Sequence, residues 1–103
     1  MMTHHSLALA LSIAFSACFH LSGCDSASNL SAQEYIQRAK DAESSKDLKR
    51  AVIEYKNAIQ KEANNAQARL LLGQLYVDME EGPEAEKELI KAMELGVSKD
   101  SIL

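Results

Sequence analysis

No charged side chain precedes Asp25, and no histidine follows His20. The 103-residue chain has no tryptophan, one proline, four glycines and only two cysteines, Cys18 and Cys24. Each scarcity removes a class of function. The three histidines, His4, His5 and His20, all lie in the uncharged leader, so the charged part of the chain has no imidazole to act as a base or metal ligand. Histidine-based triads, Cys-His dyads and the usual zinc ligand sets are excluded there. Beyond the leader, Gly73, Gly82 and Gly96 stand alone, so no glycine-rich loop can cradle a phosphate. No β-branched alternation is long enough to predict a strand. A basic stripe is also missing: 11 Lys and Arg against 15 Asp and Glu give a net charge of −4, which argues against nucleic acid as a partner. The chain therefore reads as a non-enzymatic protein without cofactor or metal.

What the leader does have is Leu7 to Leu21, apolar except for Ser12, Ser16 and His20. As a helix these residues would reach about 22 Å, short of a ~30 Å hydrocarbon core. The length predicts an export signal helix rather than a permanent span. The leader lacks Lys and Arg, so positive charge ahead of the apolar run comes from the α-amine and partly protonated His4 and His5.

Leu21-Ser22-Gly23-Cys24 closes this run and resembles the lipobox of bacterial lipoproteins. Small residues at Ser22 and Gly23 let the backbone enter a peptidase cleft, Leu21 fills the apolar position, and the thiolate of Cys24 is the nucleophile. The resemblance implies a diacylglycerol on Cys24, cleavage before it and acylation of the new amine. Cys18 is then lost with residues 1–23, and the mature chain can form no internal disulfide. More than one acyl chain makes a durable anchor. Asp25 resembles the inner-membrane retention signal of such lipoproteins, so the expected location is the periplasmic side of the inner membrane, with the outer membrane as the other option. Residues 24–30 form the lipidated cysteine and a polar tether.

The rest predicts four helices. Ser31-Ala32-Gln33-Glu34 is a capping box, with Leu30 and Tyr35 placed for a hydrophobic staple, so a helix starts near residue 32 and buries Ile36, Ala39 and Ala42. Asp47 caps a second helix, whose Leu48, Ala51, Val52, Tyr55, Ala58 and Ile59 recur at helical spacing. Asn64-Asn65 turns into a third, with Ala68, Leu71, Leu72, Leu75, Tyr76 and Met79 on one face. Glu81-Gly82-Pro83 ends it, and a proline at the first helical position opens a fourth, with Ala85, Leu89, Ala92 and Met93 buried and Gly96 as the stop. Glu80, Glu81, Glu84, Glu86 and Glu88 interleave with Lys87 and Lys91 and read as a solvated face, with Glu84–Lys87 and Glu88–Lys91 as i, i+3 pairs.

A shift of 34 residues lays Ala51 on Ala85, Glu54 on Glu88, Ala58 on Ala92, Ala39 on Gly73 and Tyr55 on Leu89. Small residues recur where two helices must approach closely, and large ones fill the gaps. The period and the run Leu72-Gly73-x-x-Tyr76 followed by Ala85, Leu89 and Ala92 resemble the tetratricopeptide repeat. The expected fold is thus all-α, an α-solenoid of tetratricopeptide helical hairpins. Repeat 1 covers 31–65, repeat 2 covers 66–99, and 100–103 is the start of a third, truncated repeat, as in an N-terminal fragment of a longer array.

In that repeat family the first helix of each hairpin lines a concave groove for protein partners. The resemblance places Gln33, Ile36, Gln37 and Lys40 there from repeat 1, and Gln67, Leu70, Leu71, Gln74 and Asp78 from repeat 2. The lysine and asparagine clamp that some members use for a terminal carboxylate is absent at these positions. The lipobox, the first helix at Ser31-Ala32-Gln33-Glu34, the run from Ala51 to Lys61 and the stretch from Ala66 to Gly73 together resemble the tetratricopeptide lipoproteins of the exosortase (PEP-CTERM) system. That resemblance implies a lipid-anchored periplasmic scaffold for exopolysaccharide production and surface-protein export. Lipoproteins of pilus or outer-membrane assembly use the same repeats and are the alternative. A glycan-binding role would need exposed aromatic platforms, and Tyr35, Tyr55 and Tyr76 all fall at packing positions.

Overall fold

The computed structural model describes residues 29–102. Its elements are α1 (Ala32–Ser44), α2 (Leu48–Lys61), α3 (Ala66–Asp78) and α4 (Gly82–Glu94), followed by a 3-10 turn at Lys99–Ser101. Among the described residues there is no strand. Moving α1 by 34 residues reproduces α3, and moving α2 gives α4 to within one residue at its end. The helices form two antiparallel hairpins, α1 with α2 and α3 with α4, joined by packing of α2 on α3. The all-α, tetratricopeptide-type architecture expected from the spacing is the one observed.

Three of the four helices start where a side chain satisfies a free amide; at α4 the N-cap residue Glu81 makes no such bond. The Ser31 hydroxyl accepts from the Glu34 amide at 3.2 Å, and the Glu34 carboxylate accepts from the Ser31 amide at 2.7 Å. Asp47 accepts from the Arg50 amide and Asn65 from the Ala68 amide, at 3.2 and 2.8 Å. Such a cap is worth about 1 kcal/mol. Leu30 packs on the core that contains Tyr35, as the staple requires.

The ends of α1, α3 and α4 share one geometry that only Gly96 signals in the sequence. After α1, Lys46 N donates to Glu43 O and Asp47 N to Ala42 O, both at 2.9 Å. After α3, Glu80 N donates to Val77 O and Glu81 N to Tyr76 O. After α4, Gly96 N donates to Met93 O and Val97 N to Ala92 O. These are Schellman closures, which need a left-handed residue just past the cap. Gly96 supplies it at φ 101°, but Lys46 and Glu80 do so at φ 62° and 58°. The closure at Glu80 also corrects the expected end of α3: the helix stops at Asp78, before Glu81-Gly82-Pro83. Gly82 is the first residue of α4, so Pro83 is its second.

The core runs through both hairpins. Tyr55, Ile36 and Leu72 are its largest fully buried side chains. Ile36 and Leu72 each contribute about 1.5–3 kcal/mol by leaving water. Ala39, Ala51, Ala58, Ala68 and Ala92 are also fully enclosed, and they let the helices approach. Gly73 extends this: a Cβ there would stand 2.5 Å from Leu89 Cδ2.

Candidate functional site

The nine residues expected to line a groove all fall on α1 and α3, the first helix of each hairpin. Gln33, Gln37, Gln67 and Asp78 are exposed, while Lys40, Leu70, Leu71 and Gln74 are half-buried. Ile36 is different. It has no exposed surface and belongs to the core, so it cannot touch a partner. The periodicity places it on the buried stripe with Ala32, Tyr35 and Ala39, and that packing role overrides the position carried over from the repeat family. Its equivalent in the second hairpin, Leu70, stays half-open. Leu71 also packs against the core and offers only part of its side chain outward.

Of the polar members, Gln37 donates to the Asp41 carboxylate at 3.1 Å along its own helix. Gln74 donates to the Ser101 carbonyl at 3.3 Å, which brings the segment after α4 back onto α3. Gln74 and Asp78 line a cavity of about 350 Å³ with Val77, Leu89 and Ile102. A second cavity, of about 270 Å³, lies between the hairpins, bounded by Lys49, Val52, Tyr76, Met79, Glu81 and Glu84.

A second polar arrangement, a pair of buried carboxylates at equivalent positions, was not expected from the charge pattern. Glu54 and Glu88 are each only 7% exposed. Glu88 accepts from Arg69 Nη1 at 2.8 Å. The same guanidinium donates to the Ala63 carbonyl through Nη2 at 3.2 Å, so it ties α4 to the turn between the hairpins. Glu88 therefore leaves the solvated face on which the charge pattern placed it. The surface ion pair in this region is Lys91–Glu94 at 3.9 Å, rather than Glu84–Lys87 or Glu88–Lys91. Glu54 Oε1 sits 3.8 Å from Arg38 and 3.7 Å from Arg50. Its Oε2 is buried without a hydrogen-bond donor among the described residues. The recurrence of glutamate under the 34-residue shift was the available signal. Arg69 has no counterpart in the first hairpin, where the corresponding residue is Tyr35.

Among the described residues, two groups titrate away from their usual range. The Ser31 amide, and then its hydroxyl, hold the exposed Glu34 carboxyl below the ordinary 4.5. Burial pushes the Tyr55 phenol up, and the nearby Glu43 carboxylate pushes it further. The Tyr55 hydroxyl has no hydrogen-bond partner among the described residues, so Glu43 acts on it mainly through charge. Tyr35, Tyr55 and Tyr76 are all buried, as their packing positions predict. Among the described residues no group of His, Cys, Asp and Glu could hold a metal ion, and no helix is long and apolar enough to cross a membrane. Leu21, Ser22, Gly23, Cys24 and Asp25, with the whole leader, lie outside the described residues.

A family model described as a tetratricopeptide repeat matches residues 42–97, more than half of the chain. The match takes in the end of α1, all of α2, α3 and α4, and the glycine closure after α4. No curated protein and no solved structure matches the chain.

Proposed function

Because the chain belongs to the tetratricopeptide-repeat family, whose members generally bind other proteins and are generally not enzymes, we propose that it is a lipid-anchored periplasmic scaffold that holds protein partners on the outward side of α1 and α3. The observation that carries this reading is the set of amides there. Gln33 and Gln67 occupy equivalent positions, both exposed, on rigid helices backed by a closed core. A carboxamide can donate and accept at once, which suits the main chain of an extended or helical partner. Half-open Leu70 and Leu71 add apolar contact beside them.

The anchor is Cys24, lipidated after removal of residues 1–23, with Asp25 retaining the protein in the inner membrane. The partners, on the resemblance to the exosortase-system lipoproteins, are components of exopolysaccharide and PEP-CTERM protein export. Two measurements test this. Cys24→Ser is expected to abolish palmitate labelling and move the protein to the soluble fraction; unchanged membrane fractionation would sink the anchor. A photo-crosslinking side chain at Gln33 or Gln67 is expected to capture a defined partner in cells, whereas the same group at exposed Lys56 on α2 is not. Equal capture from both positions refutes the assignment of the binding side.

A further inference from the structure

We propose that the edge of the molecule carrying the α1–α2 and α3–α4 turns is a docking surface for a second copy of this chain, related to the first by a two-fold axis. The turns occupy equivalent places in the two hairpins, yet their charges are reversed. Around the first stand Lys46, Lys49 and Arg50, all exposed. Around the second stand Asp78, Glu80, Glu81 and Glu84, also all exposed. Under the 34-residue shift Lys46 becomes Glu80 and Arg50 becomes Glu84. Asp47 is the acidic exception in the first group, and its carboxylate is engaged as the cap of α2.

Between the two poles lies the 270 Å³ cavity. Lys49 forms one rim, Glu81 and Glu84 the other, and Val52, Tyr76 and Met79 the apolar floor. The ion pairs of Arg50 and Lys91 are made with Glu54 and Glu94, and none spans the cavity from Lys49 to Glu81 or Glu84. Ile53 is four residues before Asn57 and four after Lys49, so it neighbours Lys49 on the surface of α2. At 58% it is the most exposed large hydrophobic side chain described.

A surface with a basic pole, an apolar centre and an acidic pole is complementary to itself. A half-turn about an axis through the centre sets each basic pole on the partner's acidic pole, twice over, which is the requirement of an isologous interface. A partner of one sign would satisfy one pole and leave the other facing like charge. Rim ion pairs contribute little each and are screened by salt. The association is therefore weak and salt-sensitive, with Val52 and Met79 in the drier centre.

The test is sedimentation equilibrium of the full chain at low and high salt, with Lys49→Glu, Glu84→Lys and an equimolar mixture of the two variants. The expected result is a dimer that weakens as salt rises. Each single variant should weaken it by roughly tenfold or more, because both copies then place like charges together. The mixture should recover dimers, since each mixed pair restores both contacts. Both residues are exposed, so unchanged helical circular dichroism shows that the fold is intact. A monomer at every concentration and salt, a dimer indifferent to the charge changes, or a mass growing past the dimer each overturns the proposal. A dimer lost on Met93→Glu but kept in Lys49→Glu also overturns it, because Met93, exposed rather than buried as its spacing predicts, lies at the other end of α4 from the turn.

Discussion

The contact between Gly73 and Leu89 offers the strictest test of why these hairpins close. A Cβ at Gly73 would meet Leu89 Cδ2 at 2.5 Å and Cγ at 2.7 Å, with the Leu89 backbone nitrogen at a tolerable 3.4 Å. Because Cγ is close as well as Cδ2, turning the end of the leucine does not clear the space. The whole side chain must move, or α3 and α4 must part. Overpacking of this kind costs about 1–3 kcal/mol. Alanine in place of glycine inside a helix returns about 1 kcal/mol. Gly73→Ala alone should therefore destabilise by only about 0–2 kcal/mol. Gly73→Leu adds several more atoms to the same space and should exceed the upper end. Leu89→Ala removes both offending atoms. It costs on its own about 1–2 kcal/mol, since Leu89 is only partly buried. On that background Gly73→Ala meets no obstacle and should stabilise by about 1 kcal/mol. The four proteins form a double-mutant cycle with an expected coupling of about 1–3 kcal/mol, read from urea denaturation followed by far-ultraviolet circular dichroism. If Gly73→Ala has the same effect with and without the Leu89 side chain, the steric account of the hairpin is wrong.

Replacing Lys46 or Glu80 with glycine relieves a left-handed backbone at each turn and should raise stability by about 0.5–1 kcal/mol, seen as a higher Tm, whereas Gly96→Ala should lower it by a similar amount. Arg69→Met strands the Glu88 carboxylate in a poorly solvated place and should cost about 3 kcal/mol; adding Glu88→Leu should recover most of that, because removing both charges leaves nothing unpaired. For Glu34 the folded-state pKa lies below the unfolded one, so its contribution is full above about pH 4.5 and disappears as pH falls through the lowered value. Glu34→Gln keeps the capping geometry but should flatten that acid limb of the stability curve, which a pH series of thermal melts would detect.

The parts of the fold that were legible in the sequence rest on local chemistry. Ser31 and Glu34, Asp47 and Asn65 announce helix starts because their side chains can reach amides two or three residues on. The 34-residue recurrence of small residues reveals hairpins because helix separation is set at those points. The turn closures at Lys46 and Glu80 were not legible, since neither residue type favours the left-handed region. They adopt it because the two hydrogen bonds and the packing of the flanking helices over-determine it. Ile36 and Glu88 mark a second kind of limit. The charge pattern of α4 puts Glu88 outward, and the repeat resemblance puts Ile36 outward against its own apolar spacing; both are buried. A helical wheel orders the residues of Ala32–Ser44 by angle, but it does not say where α2 comes to lie.

The same distinction explains how two hairpins of one design came to differ at their edges. The positions that fix the approach of the helices accept few residues: Ala51 and Ala85, and Ala58 and Ala92, are identical, and Ala39 has only narrowed to Gly73. The exposed turn positions feel no such constraint, because a left-handed C′ residue needs a compatible backbone and not a particular charge. Lys46 and Glu80 meet that need equally badly, with opposite sign, and Arg50 and Glu84 follow them. Glu84 lies in the first turn of α4, where the helix dipole favours an acid, whereas Arg50 at the matching point of α2 faces an unfavourable dipole, offset in part by Glu54. The proposed interface would give the arginine at this turn a use outside its own helix, beside its contact with Glu54. Arg50→Glu should thus relieve the dipole term yet lose the Glu54 contact. If it raises Tm while weakening association of the chain, the charge at this turn serves the surface; if it lowers Tm and leaves association unchanged, Arg50 serves only Glu54.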